Sequence, residues 1–237
     1  VHDYYLVIDT ESSGLPIKWN ASCEQLDNWP FVVQVCWLVY NHDGALLKQE
    51  DHYIANTDYT VHPASREIHG ISDEILSQKG KERHAVLELL QKDLEQFQPI
   101  VVGHFVELDY KLLNVEFFRI GQKESPLEKL PLFCTMNCGA SLPYMETQRQ
   151  LKLVDLYHYL FSENQPFPHN AQYDALATAR CFFKEKEILS MTQRDILSQK
   201  PVVENIQYHR NTRKLGFAVV AAALFILVLI LYNSFHQ

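Results

Sequence analysis

The 237-residue sequence has no excess of positive charge: 21 Lys and Arg stand against 29 Asp and Glu, for a net charge of −8. A protein held on nucleic acid mainly by a broad basic surface is thereby disfavoured, because phosphate contacts need cations. An enzyme working through local cations or carboxylate-bound metal is not. Eight glycines and ten prolines are too few for a collagen-like or low-complexity chain. The five cysteines (Cys23, Cys36, Cys134, Cys138, Cys181) are odd in number and scattered. They argue against a disulfide framework and for a reducing compartment. Cys134 and Cys138 form a C-x3-C pair, but no second pair follows at ligand spacing, so small buried thiols are the reading rather than zinc. Val1 to Asp9 is patterned as a strand, not as a leader. Residues 215–237 contain no Asp, Glu, Lys or Arg.

That last absence marks an uninterrupted apolar run, Leu215 to Tyr232. As a helix it would span about 27 Å, close to the hydrocarbon thickness of a bilayer. Arg210, Arg213 and Lys214 precede it and no basic residue follows, which puts the N-terminal part on the cytoplasmic side. The expectation is a single-pass membrane protein: a domain over 1–190, a juxtamembrane linker over 191–214, a transmembrane helix over 215–232 in contact with lipid, and a short tail over 233–237.

Within 1–190 the pattern is α/β. Tyr4–Asp9 is a short apolar run rich in β-formers. Phe31–Tyr40 and Ala45–Ile54, joined through Asn41-His42-Asp43-Gly44, predict an antiparallel hairpin. Helical periodicity follows over Lys81–Phe97, a short strand ends at Ile100–Gly103, and further helices are predicted over Glu107–Ile120, Leu151–Phe161 and Ala171–Leu189. Strands first, then helices mixed with short strands, give a mixed sheet flanked by helices.

Three segments carry chemistry. In Asp9-Thr10-Glu11-Ser12-Ser13-Gly14-Leu15, alternation along a strand projects Asp9 and Glu11 to one face. Two such carboxylates raise each other's pKa unless a cation lies between them, and hard divalent ions take oxygen ligands of this kind; an acidic, solvent-exposed turn is the alternative. In Gly103-His104-Phe105-Val106-Glu107-Leu108-Asp109, a helix starting near Glu107 places Asp109 in its first turn, where it either points across the strand ends or complements the helix N-terminus. In Pro168-His169-Asn170-Ala171-Gln172-Tyr173-Asp174, Asn170 is a good N-cap, so Asp174 lies in an opening turn and His169 on the loop before it. An imidazole there is suited to take a proton from water; a polar loop residue is the plainer reading.

Together, the order and spacing of DTESSGL, GHFVELD and HNAQYDA, with Ile68-His69-Gly70-Ile71-Ser72-Asp73-Glu74 between them, resemble the DEDDh exonucleases, the family of the proofreading epsilon subunit of bacterial DNA polymerase III. The resemblance covers roughly Tyr4 to Ile188. It implies a ribonuclease H-like fold, a mixed five-stranded sheet flanked by helices, and metal-dependent 3′→5′ release of nucleoside monophosphates from nucleic acid with a free 3′ end, DNA before RNA. It also implies that Asp9, Glu11, Asp109 and Asp174 bind two Mg²⁺ or Mn²⁺ ions about 4 Å apart. Asp9 would bridge them, Glu11 and Asp174 would serve the attacking water, and Asp109 the leaving oxygen. His169 would be the general base. Thr10, Ser12, Ser13 and Leu15 would hold the terminal nucleotide, with Ile71 in apolar contact with bases and His69 and His104 on phosphate or sugar. A fold kept without chemistry, as a membrane-tethered scaffold, is the reading from another class.

Two features depart from the family pattern. Phe105 stands where Asn is usual. Residues 16–30, with Trp19 and Trp29, form a longer insertion, which either caps the substrate or contacts a partner, or is a disordered loop.

Overall fold

A computed structural model describes residues 2–138, 141–142 and 150–199. The five-stranded sheet has the order β3-β2-β1-β4-β5. Its strands are β1 (Tyr4–Ser12), β2 (Val32–Asn41), β3 (Leu46–Tyr53), β4 (Ile100–Gly103) and β5 (Leu132–Cys134). β1 to β3 are antiparallel neighbours, while β4 runs parallel to β1 and to β5. The expected hairpin is β2–β3, with Gly44 in its turn at φ 84°, a left-handed position that favours glycine.

Seven helices of at least six residues pack around this sheet among the described residues: α1 (Pro63–His69), α2 (Asp73–Lys79), α3 (Arg83–Phe97), α4 (Val106–Arg119), then, after the single turn α5 (Thr135–Cys138), α6 (Leu153–Phe161), α7 (Ala171–Ile188) and α8 (Gln193–Ser198). The period-2 alternation of β1 divides the core. Leu6 and Ile8 face α3 and α4 together with Val35, Trp37, Val101 and Leu112. Tyr5 and Val7 face α7 together with Leu38, Val102, Ala175 and Phe182. Each fully buried large apolar side chain contributes about 1.5–3 kcal/mol, so β1, covered on both faces, is the rigid centre of the molecule.

Residues 191–199, expected as linker, instead continue the fold. Thr192 and Asp195 form a reciprocal capping box at the start of α8, Ile196 is fully buried, and the Gln199 side chain bonds both backbone groups of Cys134. The rest of the expected linker, the transmembrane helix over 215–232 and the tail over 233–237 lie outside the described residues. Among the described residues, no helix is long and apolar enough to cross a membrane.

The 16–30 insertion is folded onto α4. Arg119 donates to the carbonyls of Leu26, Trp29 and Pro30, and Lys111 donates to that of Trp19 at 3.2 Å. Arg119 is itself held by Glu116 at 2.5 Å. Glu116 is fully buried and meets Arg83 at 2.9 Å on its other side. Two guanidinium groups are therefore needed to keep one interior carboxylate, whose pKa burial pushes upward.

Candidate metal centre

The alternation that splits the core also sorts the acids. Asp9 and Glu11 continue the Tyr5 and Val7 face, toward α7, whereas Thr10 continues the Leu6 and Ile8 face, toward α4. α7 opens with Asn170 as N-cap, its side chain accepting from Gln172 N–H at 3.2 Å, and Asp174 lies in its first turn. Gln34 docks this end of α7: it is buried, bonds Asp51 at 2.8 Å, and accepts from Ala171 N–H at 3.3 Å. One carboxylate oxygen each of Asp9, Glu11 and Asp174 thus come within 4.8 Å of one another.

Asp109 arrives from the opposite face. Gly103 ends β4 so close to α4 that an added Cβ would lie 3.0 Å from the Val106 side chain, and this tight junction brings the first turn of α4 against β1. Asp109 is 4% exposed and accepts from the Thr10 hydroxyl at 2.7 Å. The four acids come from three elements separated in sequence.

Their electrostatics are strained. Burial, then Asp109, Asp174 and Glu11, push Asp9 well above the usual carboxylate range. Burial followed by Asp174 and Asp109 raises Glu11 to about 8. Asp109 reaches about 7 through burial, against the Thr10 hydrogen bond that lowers it, and burial raises Asp174 as well. Carboxylates so placed hold protons or a cation. An all-oxygen donor set of this charge fits a hard divalent ion such as Mg²⁺ or Mn²⁺.

His169 is exposed on the loop before α7, at φ 64°, and its backbone N–H donates to Asp174 Oδ2 at 3.1 Å. The other Asp174 oxygen accepts from the side-chain amide of Gln165. Gln165 is buried and carried no signal in the sequence, since only the loop geometry brings it to the carboxylate.

Several residues expected at the substrate sit otherwise. Ile71 is 2% exposed, in a small core with Val33, Val61 and Leu76, so it packs inward and not against bases. Ser13 is buried, with its hydroxyl accepting from Phe31 N–H at 2.9 Å. His69 Nδ1 accepts from Ile71 N–H at 3.0 Å, which leaves Nε2 to donate to the Ser12 carbonyl at 3.2 Å. His104 Nε2 donates to the Leu151 carbonyl at 3.0 Å, so Nδ1 accepts from the Thr135 hydroxyl at 2.9 Å; burial pushes His104 down to about 4. Both imidazoles are engaged within the chain, where they tie the loops after β1 and β4. The Ser12 hydroxyl donates to the Gly14 carbonyl at 2.8 Å. Leu15, by contrast, is 74% exposed beyond the end of β1, as is its neighbour Ile17.

Phe105 is the N-terminal flank of α4 and takes a left-handed backbone, φ 66°. Asn tolerates that region far better than an aromatic residue does, so the departure here costs strain. Its ring lies 6.3 Å from that of Trp19 in the insertion.

Residues 6–182 match the Exonuclease (RNase_T) family. Among solved structures, the chain is similar to E. coli exonuclease I in complex with a dT13 oligonucleotide (TM-score 0.64, 15% identity, 79% of this chain and 42% of that one). It is also similar to the zinc-bound form of an E. coli exonuclease I complex with single-stranded DNA (TM-score 0.62, 16% identity, 79% and 41%). A third is exonuclease X in complex with 5′-overhanging duplex DNA (TM-score 0.55, 18% identity, 81% and 97%). The chain spans less than half the length of the exonuclease I chains it matches. No curated protein matches it. The fold is ribonuclease H-like, with the acid cluster at the ends of its central strands. The chain belongs to the Exonuclease (RNase_T) family.

Proposed function

We propose that the protein is a metal-dependent 3′→5′ exonuclease that releases nucleoside monophosphates one at a time, with DNA as its preferred substrate. The observation that carries this reading is the meeting of Asp9, Glu11 and Asp174 within 4.8 Å, joined by Asp109 through Thr10. Divalent ions bound there would neutralise charge on the scissile phosphate and the leaving 3′ oxygen. Asp9, which neighbours all three other acids, would serve both sides of the cluster. Glu11 and Asp174 serve the side of the attacking water, and Asp109 the side of the leaving oxygen. His169, exposed beside Asp174, accepts the proton of the water. Leu15 offers apolar surface to the last base, and the backbone from Thr10 to Leu15 lies along the terminal nucleotide. The DNA preference is supported by the complexes of the similar exonucleases, and RNA of the same polarity is the second substrate to compare.

The apolar run 215–232 would tether this activity to a membrane, with the catalytic domain on the cytoplasmic side, as the preceding Arg210, Arg213 and Lys214 favour.

The test is mononucleotide release from matched DNA and RNA oligonucleotides labelled at the 3′ end, single-stranded and duplex, with Mg²⁺ or Mn²⁺ and with EDTA. Release from DNA that EDTA and Asp174→Ala both abolish is the expected result. Release that survives Asp174→Ala rejects the assigned centre, and a protein that binds DNA without cutting it is a scaffold.

A further inference from the structure

Asp174 is fastened by both of its oxygens to one loop, residues 162–170. Oδ2 accepts from His169 N–H at 3.1 Å, and Oδ1 accepts from the side-chain amide of Gln165. Gln165 is 8% exposed, and its own Oε1 is buried with no partner. An amide that leaves an acceptor unsatisfied is a poor choice for packing alone, since an apolar side chain of equal size would avoid the loss. What the amide supplies is a donor aimed at a carboxylate. The loop needs such a tie: Ser162, Phe167 and His169 all have left-handed backbones, with φ of 55°, 43° and 64°, conformations that persist where neighbouring contacts over-determine them.

We infer that Gln165 is the positioning residue of this centre, fixing the rotation of the Asp174 carboxylate and, through it, the loop that carries His169. This rests on the proposed roles of Asp174 and His169. Each carboxylate oxygen has two lone pairs, so a carboxylate turned by the Gln165 and His169 donors keeps acceptor capacity for a cation shared with Asp9 and Glu11. Without the Gln165 donor, the carboxylate rotates and the His169 loop loses one of its two ties to Asp174. Cation affinity and placement of the base then fall together, while the surface that meets the oligonucleotide is unaltered.

The decisive variant is Gln165→Met in the full chain, equal in size and lacking the donor. Mn²⁺ alone, titrated calorimetrically, is expected to bind more weakly than to the wild type, and kcat on a 3′-labelled DNA oligonucleotide to fall. Each loss should be about 10- to 100-fold, as for residues that orient metal ligands. KM stays within about twofold, because only uniform substrate binding would move it. Unchanged Mn²⁺ affinity and kcat would overturn the inference, and so would a raised KM at constant kcat, which would make Gln165 a substrate contact. Gln165→Asn, one methylene too short to reach, takes the place of the Met variant if that chain does not fold, and the same losses are expected. If the wild type cuts no oligonucleotide, the exonuclease reading fails, while the Mn²⁺ titration still decides the role of Gln165.

Discussion

The Thr10 hydroxyl donates to Asp109 Oδ1 at 2.7 Å, so the residue between the two acids of β1 holds a third acid, ninety-nine positions away, against the same strand. Hydrogen bonds to charged groups contribute about 1.5–3 kcal/mol. Thr10→Val keeps the β-branched shape and removes the donor. Asp109, already raised to about 7 in the metal-free protein, then rises further, so protons compete better with the cation, the acidic limb of the pH–activity profile moves to higher pH, and activity at pH 7 falls about tenfold. A profile that overlays the wild type would show that Thr10 does not tune Asp109.

Removing one acid should have opposite effects on stability and activity. Asp9 is raised by burial and by all three neighbouring acids. Asp9→Asn relieves that repulsion, so the metal-free protein melts higher at pH 8. Activity falls about a hundredfold or more, as for loss of a group that stabilises transition-state charge. Differential scanning calorimetry in EDTA, paired with the nuclease assay, reads both.

Glu11 and Asp109 titrate near 8 and 7 in the fold but near 4 when unfolded. The folded metal-free protein therefore holds more protons than the unfolded chain between those values. Its stability is highest at the acidic end of that window and falls as pH rises to about 8. A cation replaces those protons. The rise in melting temperature produced by millimolar Mn²⁺ should be larger at pH 8 than at pH 6. An equal rise at both would mean that Mn²⁺ binds elsewhere.

Glu185 lies in the last turn of α7, fully buried, with neither oxygen hydrogen-bonded, and burial pushes it up to about 9. It is an acid kept neutral in the core. Between about 4.5 and 9 it makes stability fall with pH by up to about 1.4 kcal/mol per unit. Glu185→Gln should flatten that slope, as read by urea denaturation from about pH 4 to 8.5, with the least stabilisation at the acidic end, where the carboxyl is protonated in the fold and largely so in the unfolded chain.

Much of the centre was legible in the sequence because its residues sit in short motifs whose secondary structure is local. Asp9 and Glu11 alternate on a strand, and Asn170 caps a helix that sets Asp174 in its first turn. What faces inward at a loop is decided by distant partners. His69, His104, Ser13 and Ile71 lie beside the motifs, yet Ser12, Leu151, Phe31 and Val61 absorb them, and nothing in their spacing says so. Gln165 and the Thr10–Asp109 bond are missing from the sequence reading for the same reason. α1 and α2 are short and bury few apolar groups, so they leave little periodic signal. α8 leaves one, since Thr192 with Asp195 three residues later is a capping pattern, but six residues are too few to set it apart from the polar linker around it. The 16–30 insertion gave no hint that Arg119, nearly ninety residues later, would receive its carbonyls.

Four of the five thiols are buried, and only Cys23, within that insertion, has partial access to solvent. The chain thus carries a natural attachment point within the insertion that packs on α4. Burial raises the Cys23 thiol, so a maleimide dye would couple slowly, yet there ahead of the others. Fluorescence from it would follow the Trp19 segment as an oligonucleotide arrives, with no engineered cysteine.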